Sequence, residues 1–500
     1  MARQNEQLES VTGVQLARGI AVPEAKGFWA EAWGQVLRRP SALAAMVWLG
    51  VIGFFAVFAP VIASGHPLVM RATDRATGAV ETTLPLLEHL RTSDRLLLMG
   101  VPLGLLWVLV PVGGAARIAK LGACIYGGAL SILMVVAGGI VHIQTGQRDP
   151  SPFFRQIRDS SLSHITAPAV IAIAVGVVGL LLPVISPFRR RVLVVVVTMV
   201  FGGLAMGMSW DRPALQVYDY LQRERAGEIT ATYTVVPFSP NQRFTELDRR
   251  PPMSTLGDSL GYEPGTPGAG RRFLLGTDAL GQDVLSQLLA AARLAISIGL
   301  VSTGIAVTIG VTMGSVMGYF GGKVDLLLYR VVEIFQAIPV LFLLIITAAV
   351  TPPELRSTYT MMAIIGCFTW TTSARFIRAE FMKLRSQDFV QSAKAVGLPL
   401  RSVLFKHMLP NGVTPVLVDA SFVIAAAITI EATLSFLGLG PVDQPSWGKL
   451  LSNATNSEGA FKWWLAIFPG GTIFLTVLSY NLIGEALRDA IDPKLKKARV

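Results

Sequence analysis

Few residues in this sequence have the types and spacing that chemistry requires. His66, His89, His142, His164 and His407 are dispersed along the chain, with no spacing that suits a zinc site. Cys124 and Cys367 lie far apart, each inside an apolar run, and read as small buried hydrophobes. No nucleophile and base can be paired. The nearest approach to a phosphate-binding loop is Gly318-Tyr319-Phe320-Gly321-Gly322-Lys323-Val324, with the wrong spacing and a valine after the lysine. The sequence therefore predicts no enzyme, no metal and no cofactor of its own. Two carboxylates stand out, because Asp419 and Glu431 fall in an apolar run at about 412–434, where an acid needs a partner or water. Glu431 lies toward one end of that run, where snorkelling or interfacial pairing is expected ahead of substrate contact.

The elements that must position such groups are membrane spans. Hydrophobic residues make up 52% of the 500 residues and charged residues 15%, against about 25% charged in a soluble domain. The mean hydropathy is +0.55. Apolar runs at about 42–64, 96–113, 119–142, 165–186, 192–208, 287–314, 326–350, 358–376, 412–434 and 463–485 are expected to cross the bilayer. The fold class is thus all-α, a polytopic membrane protein of about ten transmembrane helices with both termini cytoplasmic. The net charge of +11 reflects basic turns on the cytoplasmic side, such as Arg189-Arg190-Arg191, and calls for no nucleic acid.

The chain divides into a cytoplasmic lead (1–41) without a cleavable signal peptide, a first span (42–64), and an external segment with an inserted four-helix membrane block (65–208). An external loop with little core of its own (209–286), a core (287–486) and a cytoplasmic tail (487–500) follow. Parity places the connection 143–164 outside, against its Arg148, Arg155 and Arg158. An even number of inserted spans leaves every later loop on its own side, and a peripheral bundle beside the core is the expected role.

One stretch organises the rest. Residues 387–411, within a basic loop 379–411, read as two short amphipathic helices with a break. Phe389, Val390, Ala393 and Val396 form one apolar face at helical spacing, and Leu400, Val403, Leu404 and Met408 form the second. Gly397 stops the first arm with a positive φ, Pro399 starts the second, and Pro410 closes it before the next span. The excess of Arg375, Arg378, Lys383, Arg385, Lys394, Arg401 and Lys406 places the stretch in the cytoplasm.

Gln391-Ser392-Ala393, three residues, Gly397, nine residues and then His407-Met408-Leu409-Pro410 resembles the EAA loop. That loop marks the permease subunits of ATP-binding-cassette (ABC) importers. Gln391 replaces its glutamate and Ser392 its first alanine. The string from Gly276, GTDALGQDVLSQLLAAARLAISIG, resembles the start of the permease core in the peptide and nickel class, with Gln282 where arginine is usual. Thr277 or Asp278 is expected to cap a short helix there. MGYFGGKVDLLLYRVVEIFQAIP (317–339), in which Arg330 can pair with Glu333, EATLSFLGLGPVDQPSWGKLL (431–451) and GEALRDAIDPKLKK (484–497) follow in the family's order.

The resemblance covers 276–497 and is to the second-type, C-like permease of dipeptide, oligopeptide and nickel systems. It implies a multi-pass protein of the bacterial inner membrane, a second permease subunit, two ATPase subunits that bind the ATP, and an external substrate-binding protein. Gln391, Ser392, Ala393, Gly397, His407, Leu409 and Pro410 become the ATPase-coupling loop, and Asp419 and Glu431 possible pathway or interface residues. Peptides are the implied substrate, with nickel or another small solute open. Two alternatives stand beside this: a secondary carrier or channel, which usually keeps ionisable groups near the midplane, and a transport-inactive scaffold.

Overall fold

A computed structural model describes residues 28–73, 80–109, 117–145, 163–181, 188–208, 220–257, 266–352, 356–441, 444–455 and 461–491. The expectations for 1–27, for the connection 146–162 and for the tail beyond 491 lie outside the described residues.

Pro40 opens the first long helix at a position that needs no N–H, and three residues separate α1 (Phe28–Val36) from α2 (Pro40–Ile62). Four helices follow: α3 (Thr92–Leu109), α4 (Arg117–Thr145), α5 (Ser163–Leu181) and α6 (Phe188–Gly207). The last three bury an apolar cluster of their own, including Tyr126, Leu130, Met134, Ile171, Val175, Val195 and Met206. A three-stranded antiparallel sheet explains how such a block fits into the chain. Strand β1 (Val69–Thr73) lies between β2 (Val80–Thr83), which precedes the block, and β3 (Ile229–Thr232), which follows it. Both ends of the insertion are therefore tied to one small unit.

That unit corrects the expectation of a loop with little core at 209–286. Phe238, Leu247, Leu256 and Phe273 are fully buried and pack with Ala59, Ala63 and Leu289. The Phe238 and Phe273 rings stack at 4.3 Å. These apolar residues follow neither a period of 2 nor of 3.6, so the usual pattern signal was absent.

The core is built on α7 (Val284–Phe320), whose 37 residues would extend about 55 Å, well beyond the roughly 30 Å of a bilayer interior. Around it stand α8 (Gly322–Ala337), α9 (Val340–Val350), α10 (Thr358–Thr369) and α11 (Thr371–Leu384). After the hairpin come α14 (Thr414–Phe436), α15 (Trp447–Thr455) and α16 (Trp463–Ile491), the labels α12 and α13 belonging to the hairpin arms at Asp388–Ala395 and from Leu400 onward. The end of α16 receives Ala32 and Val36 of α1, and Arg39 pairs with Asp489 at 2.7 Å.

Three glycines let α7 and α11 touch backbone to backbone. A Cβ added at Gly310, Gly314 or Gly318 would lie 2.8, 2.5 or 2.7 Å from the carbonyls of Trp370, Ala374 and Arg378 respectively. Their four-residue spacing puts all three on one face, the arrangement that brings membrane helices close.

Among the described residues, seven helices are long and apolar enough to cross a membrane, and eight if α8 and α9 count as one span. The expected span 326–350 is a bent pair instead of a straight helix, turning by 78°. Pro339 causes the break: Ile338 before it is forced to extended geometry (φ −97°, ψ 127°), which ends α8. The other two expected spans are helical but shorter, Ile165–Leu181 and Thr358–Thr369, the latter running through the helical Trp370 into polar α11.

Candidate functional site

The stretch 387–411 forms a two-armed hairpin. Its first arm, α12, ends in a full Schellman motif, because Gly397 takes φ 79°, its N–H donates to the Lys394 carbonyl (2.9 Å), and Leu398 N–H donates to the Ala393 carbonyl (3.1 Å). Pro399 sits in extended geometry as the N-cap of the second arm, one position before its expected place. That arm, α13, starts at Leu400–Ser402, passes through a π turn at Val403–Met408 and continues to Gly412. Pro410 therefore does not close the arm. Lacking an N–H, it cannot bond the carbonyl four residues back, and the chain widens just before it, with Leu409 N–H reaching the Leu404 carbonyl.

The apolar faces expected on the two arms are each divided. Val390, Ala393, Val403 and Met408 are buried against Ile377, Phe381 and Leu384 of α11 and Val416 of α14, with Leu404 and Leu409 beside them. Phe389 (39% exposed), Val396 (79%), Leu398 (37%), Leu400 (42%) and Phe405 (64%) remain at the surface. The inner set anchors the hairpin on the core, and the outer set forms an apolar rim. Arg401 and Lys406 are exposed among it, while Lys394 lies 4.9 Å over the Tyr319 ring at the end of α7.

Gln391 is exposed but bonds back to the preceding helix. Its Nε2 donates to the carbonyl of Arg385 (2.7 Å), the C-cap residue of α11. A carboxylate at this position could not make that bond. Ser392 is exposed, and His407 is half-buried with its carbonyl accepting from Asn411 Nδ2 (2.8 Å). Arg378 of α11 holds Asp325 at the start of α8 with a two-pronged pair (Nη2–Oδ2 2.7 Å) and lies 4.5 Å over the Tyr329 ring. The Arg330–Glu333 pair forms as expected, at 2.5 Å on the surface.

Asp419 and Glu431 are not brought together. Twelve residues of α14 separate them by about 18 Å. Asp419 accepts from Ser373 Oγ (3.3 Å). Glu431 is 1% exposed and so does not snorkel: its Oε1 accepts from Ser435 Oγ (2.6 Å).

At the opposite end of α7 the Gly276 string is almost wholly buried. Asp283 is the N-cap, accepting from Ser286 N–H at 2.7 Å. Neither Thr277 nor Asp278 takes that role. Asp278 instead gathers the turn, its Oδ1 accepting from the N–H groups of Leu280 and Gln282 (2.9 Å each) and its Oδ2 from Gln287 Nε2 (2.9 Å). Thr277 Oγ1 bridges Arg250 N–H (2.7 Å) and the Leu247 carbonyl (2.6 Å). Burial pushes the Asp283 carboxyl up to about 6, Ser286 and Leu285 oppose the shift, and the nearby Asp278 charge adds to it.

Two contributors escaped the sequence reading. The Gly310, Gly314 and Gly318 stripe was legible as small residues four apart inside an apolar run. Arg293, inside α7, reaches Asp94 at the start of α3 and the Ala56 carbonyl of α2 (2.8 Å), tying the inserted block to the core. Its partners lie about 200 residues away in the chain, and no local pattern marks them.

The family described as "Binding-protein-dependent transport system inner membrane component" matches residues 310–497. A second, described as "N-terminal TM domain of oligopeptide transport permease C", matches 27–76. A dipeptide transport system permease protein of Alkalihalophilus pseudofirmus is 36% identical over 44% of this chain and 72% of its own length. The chain belongs to the family of binding-protein-dependent transport permeases. An oligopeptide permease of Bacillus subtilis shows the same identity and coverage, and a di/tripeptide permease of Pseudomonas aeruginosa is 36% identical over 53% of this chain and 82% of its own. The protein is a multi-pass inner-membrane permease of the C-like type, a subunit of an ABC importer. Such systems work with ATPase and substrate-binding partners in general. Neither family match reaches the inserted helices α3 to α6.

Proposed function

We propose that this permease carries peptides across the inner membrane and that its 387–411 hairpin couples that movement to ATPase subunits. The relatives named for dipeptide, oligopeptide and di/tripeptide transport support peptides as the substrate class. The observation that carries the coupling role is the divided hairpin. Its inner residues fix it on α11 and α14, so that a push on the exposed rim of Phe389, Val396, Leu398, Leu400 and Phe405 would be passed to the spans. Such a rim with flanking cations fits a groove that is apolar at its centre and acidic at its edge.

The hairpin then faces the cytoplasm with both termini, and the unit around Phe238 and Phe273 faces outward. The working assembly pairs this chain with a second permease, two ATPase subunits that bind the ATP, and an external binding protein. ATP closure of the ATPase pair moves the hairpins, and the spans alternate their opening.

The purified assembly, reconstituted in vesicles with its binding protein, should accumulate a tripeptide only when ATP is supplied on the hairpin side. Single cysteines at Ser402 and Ser239 should react with an impermeant reagent from opposite sides. Labelling of both from one side would overturn the topology, and ATP-independent accumulation would favour a secondary carrier.

A further inference from the structure

At the end of α7 farthest from the hairpin lies a cavity of about 390 Å³. It is lined by the segment Tyr233–Pro237, which leaves β3, by Gly270, Arg271, Arg272 and Leu274, and by Asp283 and Leu285. Three observations make it a built site. Asp283 is 1% exposed, and while its Oδ2 caps α7, its Oδ1 makes no hydrogen bond among the described residues. A buried carboxylate oxygen without a donor costs free energy that a cationic group would recover. Arg272 lines the same cavity, is exposed and has no acidic partner among the described residues, whereas Arg271 is already engaged with Glu224 (2.6 Å) and stacked 3.9 Å over the Tyr233 ring. Finally, the backbone of Tyr233, Thr234 and Val235 makes no hydrogen bond among the described residues, so an extended chain could pair with it.

We propose that this cavity is a binding site for a short peptide, taking the free amino terminus on Asp283 and the terminal carboxylate on Arg272. A primary ammonium supplies donors that the Asp283 oxygen lacks, and a guanidinium is suited to a carboxylate by its planar fork. The two opposite charges lie in one cavity, which selects a zwitterion over a simple cation or anion. Leu274 and Val235 leave room at the mouth for side chains of varied shape. The naming of a peptide as the zwitterion rests on the peptide reading above; the demand for an ammonium group rests on the cavity alone.

The test is calorimetric titration of the full chain, purified with its accompanying subunits but without the binding protein, with trialanine and with N-acetyl-trialanine at pH 7.5. Trialanine should bind, and acetylation should weaken it by at least tenfold. Asp283→Asn keeps a good helix cap, since asparagine caps as well as aspartate, and should weaken trialanine by at least tenfold. Leu274→Trp, which fills the mouth without touching Asp283, should abolish binding, and Arg272→Ala should weaken trialanine but not its C-terminal amide. Absence of trialanine binding, equal affinity for the acetylated peptide, or wild-type affinity in Asp283→Asn and Leu274→Trp would overturn the site. ATP-driven tripeptide uptake separates this from the function itself: uptake that persists while Asp283 proves irrelevant sinks the cavity alone, and absence of any peptide uptake sinks the peptide reading.

Discussion

Replacing Gly397 with valine tests whether the hairpin is the coupling element. The residue holds φ 79°, and a Cβ placed there would meet nothing within 4 Å. The cost of a side chain is therefore confined to the backbone, about 1–2 kcal/mol for an L-residue held in the left-handed region, with a β-branched residue at the upper end. That corresponds to roughly a 5–30-fold loss of the native turn relative to its alternatives. Because the Schellman bonds of Gly397 and Leu398 set the angle between α12 and α13, the loss falls on the alignment of the exposed rim, and the spans are untouched. Expression and membrane insertion should match the parent. Recovery of the ATPase with the tagged permease should fall at least fivefold, and ATP-driven uptake should fall with it. Asparagine, which tolerates positive φ, should be milder than alanine, and alanine milder than valine. Gly471→Ala, in α16 with open space around it, is the control and should change neither readout. Parental ATPase recovery in the valine variant would refute the reasoning, and a loss in asparagine equal to that in valine would mean side-chain size, and not φ, is being read.

Gly314→Val should separate α7 from α11, since even a Cβ would lie 2.5 Å from the Ala374 carbonyl. Overpacking of this kind costs about 1–3 kcal/mol, read as lower thermal stability in detergent, and an unchanged melting temperature would count against the close contact. Gln391→Glu brings the sequence nearer to the family's glutamate yet should lower ATPase recovery, because a carboxylate cannot donate to the Arg385 carbonyl and faces the negative end of α11. Equal or higher recovery would show that the Gln391–Arg385 bond is irrelevant. Asp283 holds its proton more tightly in the folded state (about 6) than at its ordinary 3.8. Its burial penalty is thus absent at acid pH and grows as pH rises from about 4 through about 6, to about 3 kcal/mol at most. The stability difference between Asp283→Asn and the parent should shift in the variant's favour across that window, and a difference independent of pH would contradict the burial.

The features that depend on a few consecutive residues were legible in the chain. Gly397 followed by Pro399 marks a helix stop and a helix start because each residue restricts its own φ, and the structure keeps both within one position. The long apolar runs became helices for an equally local reason, as only internal hydrogen bonding satisfies a backbone in lipid. The proline break is legible too, at Ile338-Pro339, although the hydropathy of the run 326–350 alone suggests one straight span. Tertiary structure decided which side of each hairpin arm faces inward. Periodicity identifies an apolar face but not its partner, so Val390 and Val396 looked alike until α11 covered one and left the other exposed. The unit around Phe238 and Phe273 was hidden because irregular backbone imposes no repeat on the residues it buries. Arg293 with Asp94, and Asp283 with its cavity, join groups from separate parts of the fold. Such pairings are set by packing over long sequence separations, and a local pattern carries no record of what another segment will bring against it.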